Sequence, residues 1–491
     1  MLNELQLTFR DPNLSLALLA KSKTNKIRQR VRNKLHYHLT MRRSGLGVTK
    51  MGEPVTLAKV YLWGSLVGYV SWNDDGRFAT FEYDNEFLKA PVEPSPLLMP
   101  KSRALYSFRN LNVDTFKGLP GLLADSIPDK FGNALIDVWL STVNRDFQSF
   151  NPVERLCYIG ERGMGALEFK PATYKFRTKN TPIEISEMVK LASEILSNRK
   201  KFSSKLELAN QKKLNQSLTN LLTIGTSAGG ARAKCIIAYN EKTGEVRSGQ
   251  IKTTEDFSYW ILKLDGIRNN KDKELNDPKG FGTIEYAYHL MALDCGIQMM
   301  ESKLLEENGR HHFMTKRFDR INGGEKIHMQ SLCAMAHYDF NMAGAYSYEQ
   351  SLDIIRKIIS ENTKFALEQQ FRRAVFNVVA RNQDDHTKNI AFLMSQTGKW
   401  TLSPAFDMTY SYNPNGQWTN RHQMSIHGKR EKFTLEDFIE LGKKADLKIF
   451  QINSIVGQIK ETISHWENYA NQTKVPPALQ KEVKKNLNLS I

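Results

Sequence analysis

Cysteine is scarce in this chain and follows no pattern: Cys157, Cys235, Cys295 and Cys333 lie far apart, with no paired spacing among them. That excludes a disulfide framework and a cysteine-rich zinc site, and predicts four buried thiols. Long apolar runs are missing too. No stretch approaches the roughly 18–20 residues that a membrane-crossing helix requires, so no membrane partner is expected. The opening segment carries Glu4 and Asp11 before a basic cluster, which is not the order of a secretory signal, and the expected location is cytoplasmic. Two nucleotide signatures are also lacking. Gly230 is followed by Ala231 rather than the Lys-Ser/Thr of a Walker loop, and Asp407 is followed by Met-Thr rather than the Phe-Gly of eukaryotic kinases.

What is present is a globular composition, 41% apolar and 25% charged over 491 residues, too long for one ordinary core. The net charge of +17 is uneven, because residues 1–50 hold eleven Lys/Arg against two acids. Such a segment suits nucleic-acid phosphates or an acidic protein face, or serves as a solvated tail. From Leu57 to Tyr83 the pattern is strand-like, with Asn73-Asp-Asp-Gly76 as a turn. A helix follows Asp129, with helical character to about Leu156, and a polar, basic helical stretch runs from Thr181 to Leu222 with an exposed linker at its centre. Two β runs, Cys235–Tyr239 and Tyr259–Leu264, flank the hairpin signal Lys242-Thr-Gly244. Helical periodicity then dominates Thr283–Cys295, Tyr348–Ile359, Leu367–Val379 and Leu435–Ala470. A sheet-rich half before a helical half predicts an α+β fold with a cleft between. His311-His312 has no matching ligand spacing and is expected in an exposed turn.

The strongest chemical segment is Asn377-Val-Val-Ala-Arg-Asn-Gln-Asp-Asp-His-Thr-Lys-Asn389, a loop between an amphipathic helix and an apolar strand. Phosphoryl transfer needs a carboxylate to orient and deprotonate the attacking hydroxyl, and oxygens to hold magnesium on the transferring phosphates. Asp384 and Asn389 have the Asp-to-Asn interval of a kinase catalytic loop, which Asp385 misses by one. Asp384 is therefore the expected base. His386 would orient Asp384, contact a phosphate or structure the loop, and Lys388 joins the catalytic candidates. A hairpin from Phe392 to Leu402 should fold Asp407 back towards Asn389, giving magnesium a second hard oxygen. Upstream, Gly225-Thr-Ser-Ala-Gly-Gly-Ala-Arg-Ala-Lys234 offers backbone N–H groups to phosphate oxygens. The candidates for nucleotide contact there are Ser227, Ala228, Gly229, Gly230, Ala231, Arg232 and Lys234. Lys263, in a β run, is placed like the strand lysine that holds the α- and β-phosphates, and Glu285 on the next helix is placed to pair with it.

Together these residues resemble the HipA family, bacterial serine/threonine kinases that act as toxins of toxin–antitoxin pairs. The resemblance runs from about Leu57 to about Lys444. It rests on Gly118-Leu-Pro-Gly121 with Asp125-Ser-Ile-Pro-Asp129, Ile159-Gly-Glu-Arg-Gly-Met-Gly-Ala-Leu167, Ser227-Ala-Gly-Gly-Ala-Arg-Ala-Lys234, Lys316-Arg-Phe-Asp-Arg320, Asn382-Gln-Asp-Asp-His-Thr-Lys-Asn389 and Leu402-Ser-Pro-Ala-Phe-Asp407. It implies a two-lobed, protein-kinase-like α+β fold with an extra N-terminal β subdomain, ATP between the lobes, and a DNA-binding, HipB-like antitoxin that links the chain indirectly to operator DNA. It matches Asp384 to the family's catalytic Asp, Asn389 and Asp407 to its magnesium ligands, Lys263 to its ATP lysine and Ser227 to its self-phosphorylated serine. An aminoacyl-tRNA synthetase or other translation factor is the implied substrate class. The implied division is a basic extension (1–55), an N-terminal β subdomain (56–170), a part resembling a kinase N-lobe (171–322) and a helical C-lobe (323–491). Two other readings stay open from the residues alone: a DNA-associated partner that binds nucleotide without catalysis, and a small-molecule kinase.

Overall fold

Alternation of apolar residues builds the first sheet. In the computed structural model, which describes residues 54–128, 130–142, 145–172, 182–197, 221–222, 224–225, 232–250, 253–267, 279–321 and 323–491, strands β1 (Leu57–Leu62), β2 (Ser65–Asn73), β3 (Phe78–Tyr83) and β4 (Leu167–Lys170) pair antiparallel in the order β3-β2-β1-β4. The expected turn is there: the Gly76 N–H donates to Asn73 Oδ1 at 3.0 Å. The expected helix spans Lys130–Thr142 but does not run on to Leu156. Asn151 and Pro152 open a new helix instead, Pro152–Ile159, because the Asn151 side chain caps the Glu154 N–H and proline suits the first helical position.

The second sheet carries the lysines. Strands β5 (Lys234–Asn240), β6 (Val246–Ser248), β7 (Phe257–Lys263), β8 (Ser302–Glu307) and β9 (Arg310–Lys316) are ordered β6-β5-β7-β9-β8. One face, with Cys235, Ile237, Trp260, Leu262 and Met314, packs on the helices Lys130–Thr142 and Ile185–Ser197. Burying each such large side chain contributes roughly 1.5–3 kcal/mol. Lys234 and Lys263 are register partners across β5 and β7, so both stand on the other face. The sequence reading of His311-His312 is corrected here: both lie on β9, and His312 is buried, accepting the Asp265 N–H at 2.8 Å. The turn belongs to Asn308-Gly309 just before them, where both residues adopt positive φ.

The helical half is built around Thr363–Val379, whose Phe371, Val375, Phe376 and Val379 are buried against the helices Tyr348–Ile358 and Ile449–Ser464. The Leu435–Ala470 periodicity resolves into three helices, Leu435–Lys444, Ile449–Ser464 and Trp466–Gln472, with Asp446 at positive φ in the first break. The short strands β10 (Arg320–Ile321) and β11 (Glu325–Lys326) form a separate hairpin. A small sheet, β12 (His328–Ser331), β13 (Ala391–Met394) and β14 (Trp400–Leu402), brackets the segment that carries Asp384 and Asn389, and the β13–β14 hairpin turns at Gly398 as its sequence predicts. All four cysteines are buried and free. Among the described residues no helix is long and apolar enough to cross a membrane. The architecture is α+β, with an N-terminal β-sheet subdomain and a helical C-terminal region.

Asp319, in the Lys316–Arg320 motif, fastens the first sheet to the rest. Its carboxylate is fully buried and accepts from Arg317 Nε (2.8 Å) and Nη2 (2.7 Å), from Arg320 Nη1 (2.8 Å) and from the Gly165 N–H (2.7 Å). Arg320 also donates to the Gly165 and Gly163 carbonyls. Burial raises the Asp319 pKa, but Arg317 and then Arg320 outweigh it and hold the carboxyl well below the usual range. A carboxyl depressed in the fold contributes stability that is full above its unfolded pKa of about 3.9 and is lost as pH falls through the folded value. Asp319→Ala should therefore cost about 3–5 kcal/mol in urea unfolding at neutral pH, with the gap to wild type narrowing below about pH 4.

Candidate active site

Glu285 is placed by a close approach. Its helix, Phe281–Asp294, begins against β9, where a Cβ on Gly282 would lie 2.1 Å from the His311 carbonyl oxygen, so only glycine fits. The helix then turns Glu285 inward, 2% exposed. Lys263, at the end of β7, donates from Nζ to Glu285 Oε1 and to Asp407 Oδ1. Arg232 stands 3.5 Å from the other Glu285 oxygen and lies over the Phe281 ring. Burial lowers the Lys263 pKa, but Asp407 and Glu285 outweigh it and keep the ammonium charged. Lys234 is buried as well. Ser227, Ala228, Gly229, Gly230 and Ala231 lie outside the described residues.

Asp407 arrives from the C-terminal side. After β14, the Ser403 N–H bonds the Ala391 carbonyl (2.9 Å), buried Arg373 donates to the Ser403 carbonyl (2.6 Å), and the Ala405 N–H bonds Gln298 (2.8 Å). The chain then bends at Asp407 itself, with φ +54°. A non-glycine residue in that region is uncommon, although aspartate tolerates it better than most. Burial raises the Asp407 pKa, but Lys263 and then Lys234 overcome it and hold the carboxyl far down.

Adjacent aspartates in the loop do different work. Asp385 is buried and saturated, accepting from Tyr348 Oη (2.8 Å), His422 Nδ1 (2.9 Å) and the Gln423 N–H (2.7 Å). Burial raises its pKa, yet His422 and these hydrogen bonds hold it below the usual carboxyl range. Asp384 points the other way, its side chain 41% exposed, with His386 Nε2 at 3.7 Å from Oδ1. Trp418 Nε1 donates to the same oxygen at 2.6 Å. Asn389 donates from Nδ2 to the Asp384 carbonyl (2.9 Å), and its Oδ1 has no hydrogen bond from any described residue. Thr387 ties the loop to the Tyr338 carbonyl, and Lys388 lies 5.4 Å from the Phe340 ring centroid.

One pocket is lined by His386, Asn389 and Asp407, with Asp385 and buried Arg373 behind them. The structure thus joins Lys263, Glu285 and Asp407 directly, and brings Asn389 and His386 to the same pocket as Asp407. Trp418, Tyr348 and Gln423 were not singled out in the sequence. No spacing signal could have found them, because their contacts to the loop span 34 to 38 residues of chain. Two hard oxygens, Asn389 Oδ1 and the Asp407 carboxylate, at one pocket fit a magnesium ion, which usually takes one or two protein groups beside phosphate oxygens and water. No three His, Cys, Asp or Glu among the described residues cluster so as to hold a metal by themselves.

Comparison with known proteins places this chain in a family. A HipA N-terminal domain model matches residues 58–170, and a HipA-like C-terminal domain model matches residues 226–466. No curated protein sequence is significantly similar. Among solved structures, the chain resembles the Shewanella oneidensis MR-1 toxin–antitoxin system complex of HipA, HipB and operator DNA, with a TM-score of 0.61 at 16% identity over 87% of this chain and 95% of that one. It also matches the Helicobacter pylori proinflammatory kinase CtkA, with a TM-score of 0.28 and 12% identity over 46% of this chain and 92% of that one. The two domain models together span most of Thr56–Ile491, the first fold is shared nearly end to end, and the chain belongs to the HipA family, whose members are kinases.

Proposed function

We propose that this protein is an ATP- and magnesium-dependent protein serine/threonine kinase, the toxin of a toxin–antitoxin pair. The observation that carries the reading is the bonding of Lys263 to both Glu285 and Asp407 at the edge of the pocket that also holds Asn389. A lysine fixed by a helix glutamate is set to meet the α- and β-phosphates of ATP, with Lys234 beside it on β5. Asn389 and Asp407 would hold magnesium, which when bound neutralises charge on the transferring phosphates. Asp384 receives the proton of the acceptor hydroxyl as that oxygen bonds to the terminal phosphorus and the bond to the ADP oxygen breaks. His386, 3.7 Å from Asp384, steadies the loop and lines the pocket. Lys388 adds positive charge on the same loop.

Regulation follows the same chemistry. Phosphorylation of Ser227 would add roughly two negative charges to the Gly-rich segment and repel the nucleotide phosphates. The Shewanella relative was solved with HipB and operator DNA, which supports a HipB-like antitoxin as the partner here and operator DNA as an indirect one. A translation-related protein is the substrate class we favour.

Radiolabelled ATP tests the proposal. Asp384→Asn and Asp407→Asn should each lower labelling of any protein by at least about 100-fold and abolish growth arrest on induction, and chelating magnesium should do the same in wild type. Ser227→Ala should lose labelling of the chain itself. Retained labelling in either aspartate variant would refute the reading. The neighbouring carboxylates should also separate in thermal melts: Asp384→Asn keeps the wild-type midpoint, whereas Asp385→Asn, which breaks a buried hydrogen-bonded charge, falls by several degrees, about 2–4 °C per kcal/mol lost.

A further inference from the structure

We infer that Trp418 is a positioning residue for the acceptor site: its indole N–H fixes one oxygen of Asp384 so that the other faces the incoming hydroxyl. The inference rests on the kinase reading above. Asp384 Oδ1 accepts from Trp418 Nε1 at 2.6 Å, with His386 Nε2 standing 3.7 Å away, while Oδ2 has no hydrogen bond from any described residue. A carboxylate free to rotate would present either oxygen; one held from the side presents a single oxygen in one direction.

The loop that delivers Trp418 is itself held by the catalytic loop. Gln423 Nε2 donates to the Trp418 carbonyl and to the Gln383 carbonyl, while the Gln423 N–H is anchored on buried Asp385. Bonds from Asn413 to Thr419 and from Gly416 to Asn413 close the loop on itself. Asp385 therefore anchors the segment that aims Trp418 at Asp384, and the paired aspartates form one device, an inner anchor and an outer base. His386 sits between the rings of Phe340 (5.2 Å) and Trp418 (6.4 Å), so the acceptor approaches Asp384 past aromatic walls. Elsewhere among the described residues Trp63 and Trp466 direct their N–H at backbone carbonyls, and Trp260 directs its own at the Ser258 hydroxyl. Trp418 instead donates to a partly exposed carboxylate.

Trp418→Phe in the full chain tests this, since it keeps the ring and removes only the donor. The expected result is a kcat about 10- to 100-fold lower with the ATP KM unchanged. A kcat equal to wild type would overturn the inference. So would a loss of activity that follows loss of Mg-ATP binding or a lowered melting point, which marks a structural role. The indole N–H resonance of Trp418, followed by NMR, separates this from the kinase reading. Its chemical shift should differ between wild type and Asp384→Asn at one pH; an unmoved resonance would overturn the pairing. A wild type that labels no protein would defeat the kinase reading instead.

Discussion

The fold brings a strand lysine, a helix glutamate and a loop aspartate to one point, and most of the architecture can be understood as the means of doing so. Lys263 is buried, and an ammonium without partners would lose its proton there. Glu285 and Asp407 keep it charged, and each needs a different part of the chain to reach it. Glu285 requires a helix pressed on β9 through Gly282, and Asp407 requires a small sheet, a buried arginine and a left-handed backbone bend. Arg232 beside Glu285 and Lys234 acting on Asp407 add two further cations to this group.

A second constraint sits beneath the loop that carries Asp384 and Asn389. Asp385 has every oxygen engaged within the protein, and its donors come from the helix Tyr348–Ile358 and from the segment after Asp407. The loop is thus held from below while Asp384 remains open above. This separates stability from chemistry in neighbouring residues of the same type.

Much of this was legible in the sequence because it depends on local order. Strand alternation in β1 to β3, the Lys242-Thr-Gly244 turn, the Phe392–Leu402 hairpin and the helical periods around Glu285 and Phe371 are short-range patterns, and the structure follows them. The Asp-to-Asn interval is local too. What escaped lies in contacts that cross long stretches of chain. Asp319 meets Gly165 across 154 residues, so the Lys316–Arg320 motif read as a family mark and not as a clamp. Trp418 reaches Asp384 from an irregular loop that has no periodicity to read. His311-His312 was misplaced because two polar residues beside Asn-Gly look like part of the turn, whereas His312 satisfies the buried Asp265 N–H from within the strand.

At 16% identity to the Shewanella structure, the shared fold rests on arrangement more than on residue-by-residue likeness. The convergence of Lys263, Asp407 and Asn389 on one nucleotide and its metal ion is the central claim. Titration calorimetry of Mg-ATP into the full chain tests it most directly. The account predicts saturable binding that weakens at least about tenfold in Lys263→Met, one charge-assisted contact or more, and more still in Asp407→Asn. Equal affinity in all three proteins, or no uptake by wild type, would contradict it.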